Sequence, residues 1–377
     1  MSSRFKICHV ISGYQRTDAR IFYRQCLSLR DHGFDVCILT NDGQSNEVIE
    51  GIPIISCTSA PAGRKKELLM ASHLFYDHAI AIDADAYQLH SPELLPLGVK
   101  LKRHGKAVVY DAHEDMPNHI LEKEWLPPWS RPMVSRAFAF YMNRVLRRFD
   151  EVISPHSHVA HSLRERIGKG ILVANFPLVK KRPNSSEDEY LARRNLFCYS
   201  GTVYSFSNQV TIAAALSELE GAQYQIAGYI DDEQREMLRN SAAGSRITYL
   251  GRLNQAELAK FYSSSIAGIV VLDYRLNLGN RLGSYAVNKI FEYMEAGLPI
   301  ICTDYDLWKD IVDRYRCGIC VKPGDVPGLR RAMRSIMADK KAAFQMGING
   351  RRAVEKEFNW TSEEAKYCKM FSDLLKA

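Results

Sequence analysis

Short runs of β-forming residues alternate with helical patterns along nearly all of this 377-residue chain. In the first half FKICHVIS (5–12) leads to the amphipathic stretch 19–33, whose Gly33 reads as a helix stop. DVCILTN, IPIISCT, a helical stretch around 64–77, AYQLHS, a helix over 92–104, AVVYDA, a helix around 131–148, EVIS, a helix over 156–167 and ILVAN follow. Parallel neighbours need a long crossover between strands, and a helix supplies it, so this alternation predicts doubly wound parallel sheets with helices on both faces. The polar segment PLVKKRPNSSEDEYLARRN interrupts the pattern, which restarts at LFCYSG and runs through QYQIAG, ITYLG, IAGIVVL, PIICTD and GICVK. The expectation is an α/β chain of two Rossmann-like domains facing a cleft. Its boundaries are 1–178, a linker 179–192, a second domain 193–357 and a terminal helix 358–377. In open sheets of this kind ligands sit beyond the carboxyl ends of the strands, so the residues just after each strand matter most.

Charge narrows the partners. The net charge of +7 is spread, with 22 basic and 19 acidic residues over 1–178 and 28 and 24 over 179–377. No basic arm exists, so nucleic acid is not expected, whereas an anionic substrate or an anionic membrane surface fits. No apolar run is long enough to span a bilayer, and the amino-terminal residues enter a strand pattern directly; a cytoplasmic chain is expected. The nine cysteines are an odd number, and several lie in apolar strand runs, which suits reduced thiols in a core. Cys317 and Cys320 form a lone CxxC without a second pair, so no metal is expected there.

Several strand ends carry chemistry. Ser12-Gly13 closes the first strand, and Gly13 admits close backbone approach to a ligand; a tight turn with Asp18 capping the next helix explains the same residues. The full GxGxxG of a dinucleotide site is missing. His90 and His113 each follow an apolar run, and two histidines at equivalent positions point to a site; Glu114 and Asp115 stand beside the second. His156, His158 and His161 read as residues on a helix started by Pro155. In NKIFEYMEAGLPIICTD, Ile290, Phe291 and Met294 form a buried helical face, and Lys289 and Glu292 share an edge at i, i+3.

This last stretch resembles the signature of retaining glycosyltransferases of the GT-B fold, family 4, through Glu292, Met294, Gly297, Pro299, Ile300 and Ile301. The resemblance extends over nearly the whole chain: DARIFYRQCLSLRDHGFDV, HSPELLPLG, VVYDAHEDMP, NFPL and EFNWTSEEAKYCKMFSDLL match in order. It implies transfer of a hexosyl or N-acetylhexosaminyl group from a nucleotide diphosphate sugar to an acceptor hydroxyl, with retention of configuration. A UDP-sugar is favoured and GDP-mannose is the alternative. A glycan or lipid-linked acceptor in bacterial surface polysaccharide or glycolipid assembly is implied, with no metal and no other cofactor. Glu292 would bind the ribose and Lys289 the diphosphate, with Gly13, Gly201, Thr202, Arg252, Arg281 and Asn288 on the donor side. His113 would act in catalysis, and Arg16, His90 and Glu114 would lie on the acceptor side. The chain departs from the family where an earlier glutamate is replaced by Ser284 and where an Arg/Lys pair is replaced by Thr202 and Ser207. A sugar-nucleotide epimerase and a non-catalytic sugar-nucleotide-binding subunit are the alternatives. The carboxyl-terminal helix is expected to cross back onto the first domain. Five arginines over 131–148, preceded by Trp125 and Trp129, suggest peripheral membrane binding.

Overall fold

The computed structural model describes residues 4–57, 73–123, 125–179 and 185–376. Most of the helix expected around 64–77 therefore lies outside the described residues. The chain forms two units, Met1–Asn175 with Trp360–Ala377, and Phe176–Asn359.

The first unit holds β1 (Lys6–Ile11), β2 (Asp35–Thr40), β3 (Glu47–Ile49), β4 (Ile52–Ser56), β5 (Ala86–Leu89), β6 (Ala107–Asp111), β7 (Glu151–Ser154) and β8 (Ile171–Leu172). Their order across the sheet is β3-β4-β2-β1-β5-β6-β7-β8, parallel except for the β3–β4 pair. The order reverses between β1 and β5, so a crevice opens beyond Ile11 and Leu89. Both faces are covered. Cys8, Val10, Tyr87, Leu89, Val108 and Val152 pack toward one layer of helices, and Ile7, Ile11, Val109 and Ile153 toward the other.

That second layer contains the last helix, Trp360–Lys376, as expected. Trp360, Tyr367 and Phe371 are buried in it, and the Trp360 indole donates to Ser28 Oγ at 2.9 Å. The stretch after β1 departs from a plain α-helix. Ile21–Cys26 is a π-helical turn that passes into the α-helix Leu27–Asp31. Its i→i+5 pattern includes Gln25 N–H donating to Arg20 O at 3.0 Å, which sets residues 20 and 25 one above the other. Asp18 Oδ1 accepts from the backbone N–H of Arg20 and Ile21 at its start.

The second unit holds β9 (Leu196–Ser200), β10 (Gln223–Ala227), β11 (Ile247–Gly251), β12 (Ala267–Val270), β13 (Ile300–Thr303) and β14 (Gly318–Val321), all parallel, in the order β11-β10-β9-β12-β13-β14. The reversal here falls between β9 and β12. The segment expected to be a plain linker carries a short helix, Glu187–Leu191, closed by a reciprocal Ser186–Glu189 cap. Tyr190 ties that helix to the sheet by donating to Ile266 O at 2.5 Å. All nine cysteines are free thiols. No helix of the described residues is long and apolar enough to cross a membrane.

Candidate functional site

Each unit carries a polar pocket at the carboxyl ends of its strands. In the first unit it encloses about 400 Å³ and is lined by Ser12, Gly13 and Tyr14 after β1, by His90 and Ser91 after β5, and by Tyr110, His113, Glu114, His119 and Lys123. Gly13 has φ +76°, the left-handed backbone its turn requires. Ser91 Oγ donates to Ser12 O at 2.9 Å and joins the two loops at the switch point.

Beneath this pocket lies a buried polar cluster centred on Asp111, the last residue of β6. His90 Nδ1 and His113 Nε2 stand 3.1 Å apart, and Asp111 Oδ2 lies 3.5 Å and 3.2 Å from them. Arg20 donates to both carboxylate oxygens at 2.9 Å, and Gln25 Nε2 donates to Oδ2 at 2.7 Å. His9 Nδ1 reaches His90 Nε2 at 3.0 Å, so three histidine rings follow one another into the core. Burial alone pushes the Asp111 carboxyl up, but the Arg20 guanidinium and the His113 and His90 contacts hold it well below the usual carboxylate range. Burial drives the His90 imidazole down to about 4, against the pull of Asp111, and holds His9 well below the usual histidine value.

The ligand atoms of His90, Asp111 and His113 all lie within 4.8 Å of one another, a spacing that a metal ion tolerates. The donor set argues otherwise. Asp111 already accepts two bonds from a guanidinium and a third from Gln25, so a cation would have to displace them beside a fixed positive charge. The cluster is therefore read as a hydrogen-bonded ring support.

His156, expected on a helix face, is instead buried and backs His113. Its Nε2–H donates to the His113 carbonyl at 3.0 Å. The reason is topological: β6 and β7 are neighbours, so the residues that follow them meet. Burial lowers the His156 imidazole to about 4. Glu114 lines the pocket and pairs with His119, whose hydrogen bond holds its carboxyl low. Arg16, expected on the acceptor side, is not in this pocket. Its guanidinium is committed to Asp42, Glu47 and Ser45 O.

In the second unit a pocket of about 350 Å³ is lined by Ser200 and Gly201 at the end of β9, Ala227 and Gly228 at the end of β10, Arg252 and Leu253 after β11, and Leu258, Tyr262, Asn288, Lys289 and Glu292. The helix Asn288–Glu295 supplies the last three. It buries Ile290, Phe291, Tyr293 and Met294, and Gly268 on β12 lets the Tyr293 ring lie flush, since a Cβ there would fall 2.1 Å from it. The Tyr293 hydroxyl accepts from Ser200 N–H at 2.8 Å, which pins the helix to the end of β9. Gly201, at φ +112°, runs directly beneath the Lys289 ammonium; a Cβ there would lie 2.9 Å from Nζ.

Among the described residues neither Lys289 nor Glu292 has an ion-pair partner. Lys289 Nζ stands 5.2 Å over the Tyr199 ring, and Glu292 accepts a single long bond, 3.4 Å, from the Tyr262 hydroxyl. The i, i+3 spacing thus brings an uncommitted cation and an uncommitted carboxylate into one pocket. Arg252 joins them, exposed at the rim. Arg281 and Thr202 do not line it: Arg281 pairs with Asp304 at 3.7 Å and stacks on Tyr274, and the Thr202 carbonyl accepts from Tyr199. Ser284 is fully buried; its carbonyl accepts from the Trp308 indole at 3.0 Å.

Residues 182–353 match the model of glycosyl transferases group 1, and residues 19–174 match the glycosyl transferase 4-like domain. The chain belongs to the group 1 glycosyltransferases. Glycogen synthase of Mycobacterium tuberculosis is 23% identical over 272 residues, 67% of this chain; the chain spans 61% of the length of that relative. Among solved structures, the sucrose-phosphate synthase of Thermosynechococcus elongatus superposes with a TM-score of 0.78 at 18% identity, covering 99% of this chain and 100% of that one. Anabaena HepE, in complex with UDP and glucose, superposes at 0.73 with 12% identity, over 98% and 100%. At such identities these structures establish the GT-B fold of two Rossmann-like domains.

The buried histidines give the fold an acid limit. His90 and His156 are held neutral at pH values where the unfolded chain, with histidines near 6.5, binds protons. Their contribution is complete above about pH 6.5 and is lost as pH falls toward 4, with a slope of up to about 1.4 kcal/mol per pH unit for each. Urea titrations between pH 7.5 and 4.5 are expected to show stability falling with acid, and His156→Gln is expected to flatten that fall. A variant with the wild-type pH slope would remove His156 from this account.

Proposed function

We propose that this chain transfers a hexosyl or N-acetylhexosaminyl group from a nucleotide diphosphate sugar to an acceptor hydroxyl, with retention of configuration. The observation that carries the reading is the uncommitted Lys289 and Glu292 over the glycine floor of the second pocket. A ribose diol donates two hydroxyls, and a carboxylate that is otherwise nearly unpartnered accepts both. A diphosphate needs positive charge and close backbone approach, which Lys289, Arg252, Gly201 and the start of the helix at Asn288 supply. As the bond to the leaving group breaks, charge grows on that diphosphate, so a cation fixed beside it stabilises the transition state more than the ground state. UDP is the favoured base carrier, in keeping with the UDP and glucose bound by HepE, and GDP-mannose is the alternative. The first pocket, with His113, His90 and Glu114, is assigned to the acceptor and the reacting sugar.

Glu292→Gln keeps the shape and loses the charge-assisted pair of bonds, worth about 1.5–3 kcal/mol. Donor affinity is expected to fall roughly tenfold to a hundredfold with stability unchanged. Lys289→Ala is expected to depress kcat more than donor binding. Nucleotide release from a panel of sugar nucleotides, with and without a lipid-linked acceptor, is the deciding assay. Release that needs no acceptor and yields an isomerised sugar would indicate an epimerase, and binding without release a non-catalytic subunit. Because protein cations meet the diphosphate in this reading, turnover in the same assay is expected to persist in EDTA. Loss restored by magnesium or manganese would overturn that point.

The acceptor side of the reading is a glycan or lipid-linked substrate of bacterial surface polysaccharide or glycolipid assembly, met at the inner face of the membrane. Its support is an exposed surface on the first unit. Trp125 and Trp129 are 76% and 78% exposed, and Met133 and Phe140 follow on the helix Arg131–Leu146 at 62% and 72%. Arg136, Arg144 and Arg147 share the stripe at helical spacing and, like Arg148, are exposed. Tryptophans favour the interface and basic groups near an anionic leaflet are worth about 1 kcal/mol each. Co-sedimentation with anionic vesicles is expected to be salt-sensitive and to weaken in the double variant Arg147→Glu, Arg148→Glu. Equal recovery with neutral and anionic vesicles would exclude the surface.

A further inference from the structure

We infer that Tyr367, on the last helix of the chain, is a positioning residue for the His113 site, acting through Gln88, Gln25 and Asp111. The Tyr367 hydroxyl donates to Gln88 Oε1 at 2.6 Å. Gln88 Nε2 donates to Gln25 Oε1 at 3.0 Å, and Gln25 Nε2 donates to Asp111 Oδ2 at 2.7 Å. That oxygen is the one beneath both facing ring nitrogens, 3.2 Å from His113 Nε2 and 3.5 Å from His90 Nδ1. All four side chains of the path are buried.

The direction of every bond in this path is dictated from one end. An ionised Asp111 only accepts, so Gln25 must turn its NH₂ toward it and its carbonyl away. That carbonyl requires the NH₂ of Gln88, whose own carbonyl then faces the last helix and requires a donor. Tyr367 meets this requirement, and burial holds its phenol well above the usual value, so the proton stays on the oxygen. A path oriented in this way polarises along its length, each bond strengthening the next. Removing the terminal hydroxyl leaves Gln88 Oε1 without its donor in a dry interior, so the Gln88 amide reorients and its bond to Gln25 shifts. The Gln25 donor to the carboxylate oxygen under His113 and His90 then shifts, while Arg20 still donates to both oxygens, Nε to Oδ2 and Nη2 to Oδ1.

The inference rests on the assignment of His113 to the reaction, and its test separates the two. The first readout needs no substrate. In protein labelled with ¹⁵N-histidine, with the rings assigned from His90→Gln and His113→Gln, Tyr367→Phe is expected to shift the His113 and His90 imidazole resonances. Met370→Leu, a buried change on the same helix outside the path, is expected to leave them in place. The second readout is kinetic. Tyr367→Phe is expected to lower kcat roughly three- to tenfold with the donor KM unchanged, and to add nothing further in a Gln88→Leu background. Unmoved imidazole resonances, an equal shift in Met370→Leu, or additive effects of Tyr367→Phe and Gln88→Leu would overturn the inference. His113→Ala with wild-type turnover would instead overturn the functional assignment of the first pocket, whatever the spectra show.

Discussion

The first unit is organised around one buried charge. Asp111 is wholly inaccessible, and an ionised carboxylate in such a place is tolerated only when it is paired and fully hydrogen-bonded. The partners come from far apart: Arg20 and Gln25 from the stretch after β1, His90 from the end of β5, and His113 from the loop after β6. Meeting that one requirement aligns the ends of three strands at the switch point, where an open sheet forms its crevice. The π-helical turn belongs to the same requirement. In an α-helix residues 20 and 25 would diverge, and one of them would turn away from Asp111. The i→i+5 bond between them keeps both on it.

The second unit solves the opposite problem. Its pocket leaves charges unsatisfied, and the surrounding structure supports that state. Tyr293, Ser200 and the glycine contact at Gly268 fix the helix that carries Lys289 and Glu292. Lys289 and Arg252 line the same pocket as Glu292, yet among the described residues neither forms an ion pair with it. In the proposed function, the donor's ribose and diphosphate would supply the partners that folding left open.

These two situations explain what the sequence disclosed. The alternation of strand and helix patterns marked almost every described element, because parallel strands buried on both faces read as continuous apolar runs between amphipathic stretches. Lys289 with Glu292, and His90 with His113, were visible because local spacing or equivalent strand-end positions mark them. Asp111, Gln88 and His9 were not, since each sits inside an apolar strand run and is buried by partners from distant segments. Tyr367 is 256 positions from Asp111 and carries no local signal at all. Arg16 and Arg281 misled for the converse reason. A basic residue near a glycine loop looks like an anion ligand, and only the fold shows that Asp42 and Asp304 already hold these two.

The placement of the last helix has a consequence for synthesis. The layer over Ile7, Phe22, Cys26 and Val109 is completed by Trp360, Tyr367 and Phe371, which leave the ribosome about 200 residues after the sheet they cover. At roughly 5–20 residues per second the interval is about 10–40 s. During it the first sheet stands with an apolar face open to water while the whole second unit is made. An apolar face left open for that long favours aggregation, and a stall or premature stop within the second unit leaves it uncovered.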